Sequence, residues 1–227
     1  MAGASLLVSL IFAWLLYPIH IQQQNLGQES GVERVKAGLR FIWSKPEILA
    51  AMSLDMVAVF FGDVVALYPF FADRLGAGAL GFGFLKAAPA VGSGLVSAIQ
   101  AARQFVRPTW TALRSVVFVF GICILLFTFS PNIYWAVLFL ALGGAADGMS
   151  VIIRQTIYQA LTPDHLRGRV VSVSSVFIMT SNEVGAFESG LLARLVGVVP
   201  SAFIGGIICV GSVFAMTRVF RGKIKEA

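Results

Sequence analysis

An all-α membrane protein with seven transmembrane helices is the predicted fold, and three features of the chain predict it. Seven apolar stretches are long enough to cross a bilayer, the composition is too apolar for a soluble domain, and basic residues gather on alternate connections. A spanning helix needs about 20 mostly apolar residues at about 1.5 Å rise each. Of the 227 residues, 58% are hydrophobic and only 12% charged, against about 25% charged in soluble domains, and the mean hydropathy is +0.86. The period-2 alternation of a membrane barrel is absent, so helices, which satisfy their own backbone groups, are the expected form.

The first stretch, residues 2–19, has no basic leader and no convincing small-residue cleavage site, so it is read as a retained helix rather than a signal peptide. Residues 20–47 are the longest polar connection. They read first as a basic cytoplasmic linker; the second reading is a short amphipathic helix on the membrane surface, because apolar and basic residues alternate at helical spacing over 34–42. Six further spans follow at 48–71, 79–102, 110–130, 133–153, 170–193 and 198–217, forming a six-helix bundle over 48–217. Residues 218–227 are left as a basic tail.

Orientation follows from Lys and Arg. The connection before the second span holds Arg34, Lys36, Arg40 and Lys45; the third-to-fourth connection holds Arg103 and Arg107, with Arg114 just inside the next span. The fifth-to-sixth turn holds Arg154, Arg167 and Arg169, and the tail Arg218, Arg221, Lys223 and Lys225. The opposite side has only Arg74 and Arg194. By the positive-inside rule the first side is cytoplasmic, which puts the N-terminus outside and the C-terminus inside a cell (inner) membrane.

Ionisable residues within spans are expensive and tend to mark pathways or helix contacts. Span two contains Asp55 and Asp63, span three Lys86, span five Asp147, and span six Asn182, Glu183 and Glu188. Spans one and seven have none, and span four only Arg114. In three-helix units counted after the first span, the two leading helices carry the polar groups and the third is apolar. An inner ring around a wet cavity with an outer ring facing lipid would have this pattern. These seven residues are the candidate substrate or proton pathway. Asp63 and Lys86 both sit several ångströms to the outer side of their midpoints, where they could pair, and Glu183 is near the midplane. A carboxyl at that depth exchanges its proton according to whether water or a cation reaches it, the property a proton-coupled carrier requires. The competing reading is purely structural pairing, most of all for Asp55 and Asp147, with Glu188 simply reaching the outer surface.

Small residues spaced four apart, Gly144 and Gly148, Ala88 and Gly92, Ala186 and Gly190, permit close helix approach, and Pro89 is expected to kink span three. Cys123 and Cys209 fall in apolar stretches and behave as small hydrophobes. His20 and His165 lie at segment ends and form no ligand cluster, so no cofactor or metal is expected. The net charge of +6 reflects basic loops rather than a nucleic-acid partner.

The turn before span six reads Arg154-Gln155, Gln159 and then Pro163-Asp164-His165-Leu166-Arg167-Gly168-Arg169-Val170. Thr162 is placed to cap the next helix, with Pro163 at its first position and Asp164 complementing its dipole. The run P-D-x-x-R-G-R-V after R-Q-x-x-x-Q resembles the connection between the tenth and eleventh helices of major facilitator superfamily exporters, in the branch of enterobactin and macrolide exporters. Arg154, Asp164, Arg167, Gly168 and Arg169 form this cytoplasmic motif. The resemblance implies helices six to twelve of that fold, with the charged spans matching its cavity helices. The superfamily's G-x-x-x-D-R-x-G-R signature is absent from 101–111, where only Arg103 and Arg107 remain.

The resemblance further implies the C-terminal half of a secondary-active efflux transporter that exports a small amphipathic solute, with protons as the coupling ion. Its partners would be the bilayer, a small-molecule substrate, and either a separate N-terminal half or a second copy of this chain; half of a rocking carrier is not expected to transport alone. The alternatives are a transport-inactive fragment or a non-transporting membrane subunit. An intramembrane protease is disfavoured: Phe60-Phe61-Gly62-Asp63 lacks the first glycine of a G-x-G-D motif, and no span supplies a histidine for Ser93. The chain is not expected to be an enzyme.

Overall fold

A computed structural model describes residues 31–103, 106–222 and 224. The chain separates into two compact units, 1–34 and 35–227, and the architecture below is that of the second. The expected span at 2–19 lies outside the described residues. Among the described residues, six helical stretches are long and apolar enough to cross a membrane, and the protein is an all-helical, multi-pass membrane protein.

Helix α1, Gly31–Ser44, occupies the segment read first as a linker. Within the second unit it is docked rather than laid on a surface: Ile42 is buried, and Gly38 abuts the Arg169 carbonyl and the Val173 side chain. Lys36, Arg40 and Trp43 face away. Lys45 is extended, as a residue before proline tends to be, and Pro46 opens α2, Pro46–Gly62.

The expected continuous second span is broken. Helix α2 ends at Gly62, a 3₁₀ turn covers Val65–Leu67, and α3 resumes over Tyr68–Arg74. Two residues explain the interruption. The Asp63 carboxylate accepts the Val65 N–H at 2.9 Å, a local bond that competes with helix continuation, and Pro69 has no N–H to give the carbonyl four residues back.

The remaining spans are α4, Gly78–Arg103; α5, Trp110–Thr128; α6, Ile133–Leu161; α7, Asp164–Val196; and α8, Val198–Val219. Thr109 caps α5 by accepting the Ala112 N–H at 3.1 Å, and Asn132 caps α6 by accepting those of Tyr134 and Trp135. Replacing Asn132 with alanine is expected to cost about 1 kcal/mol, read as a lower unfolding midpoint in detergent, with Asn132→Asp retaining most of it. Gly197 joins α7 to α8 at φ 98°, a backbone state that glycine adopts without penalty.

Helices α6 and α7 extend well beyond the predicted spans, at 29 and 33 residues, which at 1.5 Å per residue exceeds a hydrocarbon core of about 30 Å. Arg154 is therefore inside α6 and buried rather than in a turn. Pro163, not Thr162, holds the N-cap position of α7, and no side chain caps it. Asp164 pairs with Arg167 at 2.9 Å, both exposed, and Arg167 Nε donates to the Thr162 carbonyl at 3.3 Å.

Neighbouring helices follow an arc in the order α4, α6, α5, α8, α2, α7. Its close contacts are backbone to backbone. Gly144 lies against Pro89, Gly148 against Ser93 and Gly92 against Ala141, locking α4 to α6, while Gly205 lies against Phe61. On α7 the close approach is made by Gly185 against Phe60, not by the expected pair Ala186 and Gly190. The buried side chains form two clusters, one around Leu54, Leu113, Ile153 and Val213 near the basic end and one around Phe71, Leu85, Phe127 and Leu140 near the other.

The ends of the arc are bare. Only 17% of the apolar window of α4 and 28% of that of α7 are buried, against 39% or more in the other spans. The charged spans three and six are thus the least covered helices, not the enclosed ones that an inner ring would require of this chain by itself.

Candidate functional site

Between the two buried clusters, at the break in the second span, lies a cavity of about 240 Å³. The break itself contributes Gly62, Asp63 and Val65, and the start of α3 contributes Tyr68. Pro89 of α4 and Gly143, Gly144 and Asp147 of α6 form the facing wall, and Asn182 of α7 closes a further side. Phe120 and Ile124 of α5 also line it, so the span expected to be peripheral supplies part of the wall.

Local chemistry explains how these groups reach one space. The interruption after Gly62 turns the chain and leaves the Asp63 carboxylate at a helix end, one oxygen bonded to backbone. Discontinuous helices of this kind expose backbone and side-chain polar groups only where they face a cavity. Opposite, the absence of side chains at Gly143 and Gly144 leaves room beside Asp147. Asp63 and Asp147 are partly buried. Two carboxyl groups and an amide between apolar walls can take up or release protons and can hold a solute with a polar or cationic part on an apolar body.

The sequence-predicted residues are distributed unevenly. Asp63, Asp147 and Asn182 share the cavity. Asp55 does not: it is buried in an ion pair with Arg154 between α2 and α6, beside Tyr158. Lys86 does not meet Asp63; it is exposed, its Nζ 6.0 Å from the Phe82 ring centroid, and among the described residues it forms no ion pair. Glu183 is exposed on α7 next to Asn182, and Glu188 is half-buried further along. Gly168 stands in open space. Cys123 and Cys209 are free and buried.

Tyr68 and Phe120 were missed as wall residues, as was Tyr158 beside the ion pair. For Tyr68 a signal exists, since the Pro69 that follows it marks the helix interruption. Nothing in the local pattern distinguishes Phe120 from the other apolar residues of its span.

The family described as transmembrane secretion effector matches residues 2–227. Among curated proteins, the enterobactin exporter EntS of Escherichia coli O1:K1 / APEC is 28% identical over 203 residues, covering 88% of this chain and 48% of the relative. EntS of Escherichia coli O127:H6 (strain E2348/69 / EPEC) is likewise 28% identical with the same coverage, and EntS of Escherichia coli O81 (strain ED1a) is 27% identical. The chain spans about half the length of the curated relatives it matches. No solved structure matches it significantly.

Proposed function

Because this chain belongs to the transmembrane secretion effectors, exporters of the major facilitator superfamily, we propose that it forms the C-terminal half of an efflux carrier whose polar cavity takes part in proton-coupled export. The observation that carries this reading is the cavity at the broken second span, where Asp63, Asp147 and Asn182 come together from three different spans. A midplane site built at an interrupted helix is how secondary carriers bind solute and ion.

In this reading residues 1–19 are a first span, 48–217 the half-carrier bundle and 218–227 a cytoplasmic tail, in an inner membrane with the N-terminus outside. The motif at Arg154 to Arg169 and the clustering of basic residues support that orientation. The bare faces of α4 and α7 are where a complementary half, separately encoded or part of a longer chain, would pack; a second copy is the other candidate. The relatives' name suggests enterobactin or a solute of comparable amphipathic character as cargo. Asp147 and Asp63, rather than Glu183, become the leading proton carriers, because they line the cavity and Glu183 does not.

The test is export by inverted membrane vesicles from a host producing the complete carrier, using an amphipathic dye and an imposed pH gradient. Asp147→Asn is expected to reduce gradient-driven export at least about tenfold, and Glu183→Gln far less. Equal, pH-insensitive export by wild type and Asp147→Asn would remove the proton role.

A further inference from the structure

A second cavity, of about 350 Å³, lies at the basic end of the bundle, where the first turns of α5 meet the last turn of α8. Its wall includes Trp110, Arg114, Arg218 and Arg221, and among the described residues no carboxylate lines it. Arg114 is held in place: its Nη1 donates to Thr217 Oγ1 at 3.4 Å, and its guanidinium lies 5.9 Å from the Trp110 ring centroid. Arg218 and Arg221 are exposed, and among the described residues neither forms an ion pair. The positive end of the α5 dipole lies beside the same space.

The exposed guanidinium groups of Arg218 and Arg221, with Arg114 and one indole on the same wall, call for an anion, and their planar forks suit phosphate oxygens. Phe220 and Ile224 make part of the remaining wall apolar, which suits a phosphate attached to something greasy better than a free ion. Along the same two helices Val119, Phe214 and Val219 are exposed, offering the surface that acyl chains cover in a membrane. Basic pockets between spans are suited to anionic headgroups.

We propose that the cleft between the start of α5 and the end of α8 is a binding site for the phosphate headgroup of an anionic phospholipid, gripped by Arg114, Arg218 and Arg221 with Trp110 at the headgroup level. The lipid ties the last helix to α5 and fixes the depth of that end of the bundle. This assignment is independent of whether the central cavity moves protons.

The chain, purified and placed in phosphatidylcholine vesicles, is titrated with phosphatidylglycerol brominated near the headgroup end of its acyl chains, and tryptophan quenching is compared with that by phosphatidylcholine brominated at the same carbons. Preferential quenching by the anionic lipid is expected, and it disappears in Trp110→Phe. Arg218→Gln and Arg221→Gln each weaken the anionic preference about fivefold while thermal unfolding in phosphatidylcholine alone stays unchanged. Equal quenching by the two lipids, or a preference that survives both substitutions together, overturns the site. Displacement of the brominated lipid by inorganic phosphate at matched concentration assigns the cleft to a free anion and overturns the lipid assignment.

Discussion

Replacing Arg154 with methionine while Asp55 remains is expected to lower stability by about 3–5 kcal/mol. Both partners are almost completely enclosed, Arg154 at 1% and Asp55 at 4% exposure, so the substitution strands a carboxylate in a space with little water. The Tyr158 hydroxyl lies beside the arginine, with Ser174 next to the tyrosine. The double variant Asp55→Leu with Arg154→Met should recover most of the loss, because a buried ion pair contributes little beyond a well-packed apolar pair once the desolvation of both charges is counted. The two buried free thiols, Cys123 and Cys209, provide the readout, since a thiol-reactive dye reports unfolding as they become accessible. If the double variant is no more stable than either single one, the two residues do not act as a pair. The same experiment bears on function, because the bond joins α2, about two turns before its break, to α6, the helix that carries Asp147. Loss of the pair should therefore perturb the cavity as well as the midpoint.

Gly144→Ala, the smallest change available, is expected to cost about 1–3 kcal/mol. A Cβ there would fall on the Pro89 backbone, at its Cα and carbonyl. Backbone cannot rotate away as a flexible side chain can, so α4 and α6 must separate along their whole contact, releasing Gly148 from Ser93 and Gly92 from Ala141. In a bilayer the apolar effect does not drive such helices together; close packing does, which makes the penalty large for one methyl group. Gly94→Ala on α4 is the control: it faces open space and should change stability by less than about 0.5 kcal/mol. Gly144 also lines the cavity, so export by the complete carrier proposed above should fall with stability in Gly144→Ala and remain in Gly94→Ala. Equal midpoints for the two variants would mean that α4 and α6 are not locked at this crossing.

Span number and helical form from the second span onward were legible in the chain because hydrocarbon imposes one requirement everywhere: an apolar surface about 20 residues long with its backbone satisfied internally. The family was legible for a different reason, through the short run Pro163 to Val170 and the basic residues around it. Helix ends were less legible. Hydropathy falls where a helix leaves the membrane, whereas hydrogen bonding continues, so α6 and α7 run on to Leu161 and from Asp164, and Arg154, which looks like a loop cation, is a core residue.

The polar residues divide along the same line. That Asp55, Asp63, Lys86, Asp147, Asn182, Glu183 and Glu188 sit in spans is fixed by sequence position alone. Which of them meet was decided by the rotation of each helix about its axis and by its neighbours in the arc. One residue along an α-helix turns a side chain by about 100°, so Asn182 lines the cavity while Glu183 beside it does not, although both are exposed. Asp63 reaches it only because the chain breaks after Gly62. Hydrophobic pattern determines that a segment enters the membrane; steric fit between glycine surfaces and neighbouring backbones, which acts across segments far apart in the chain, determines which face it turns inward.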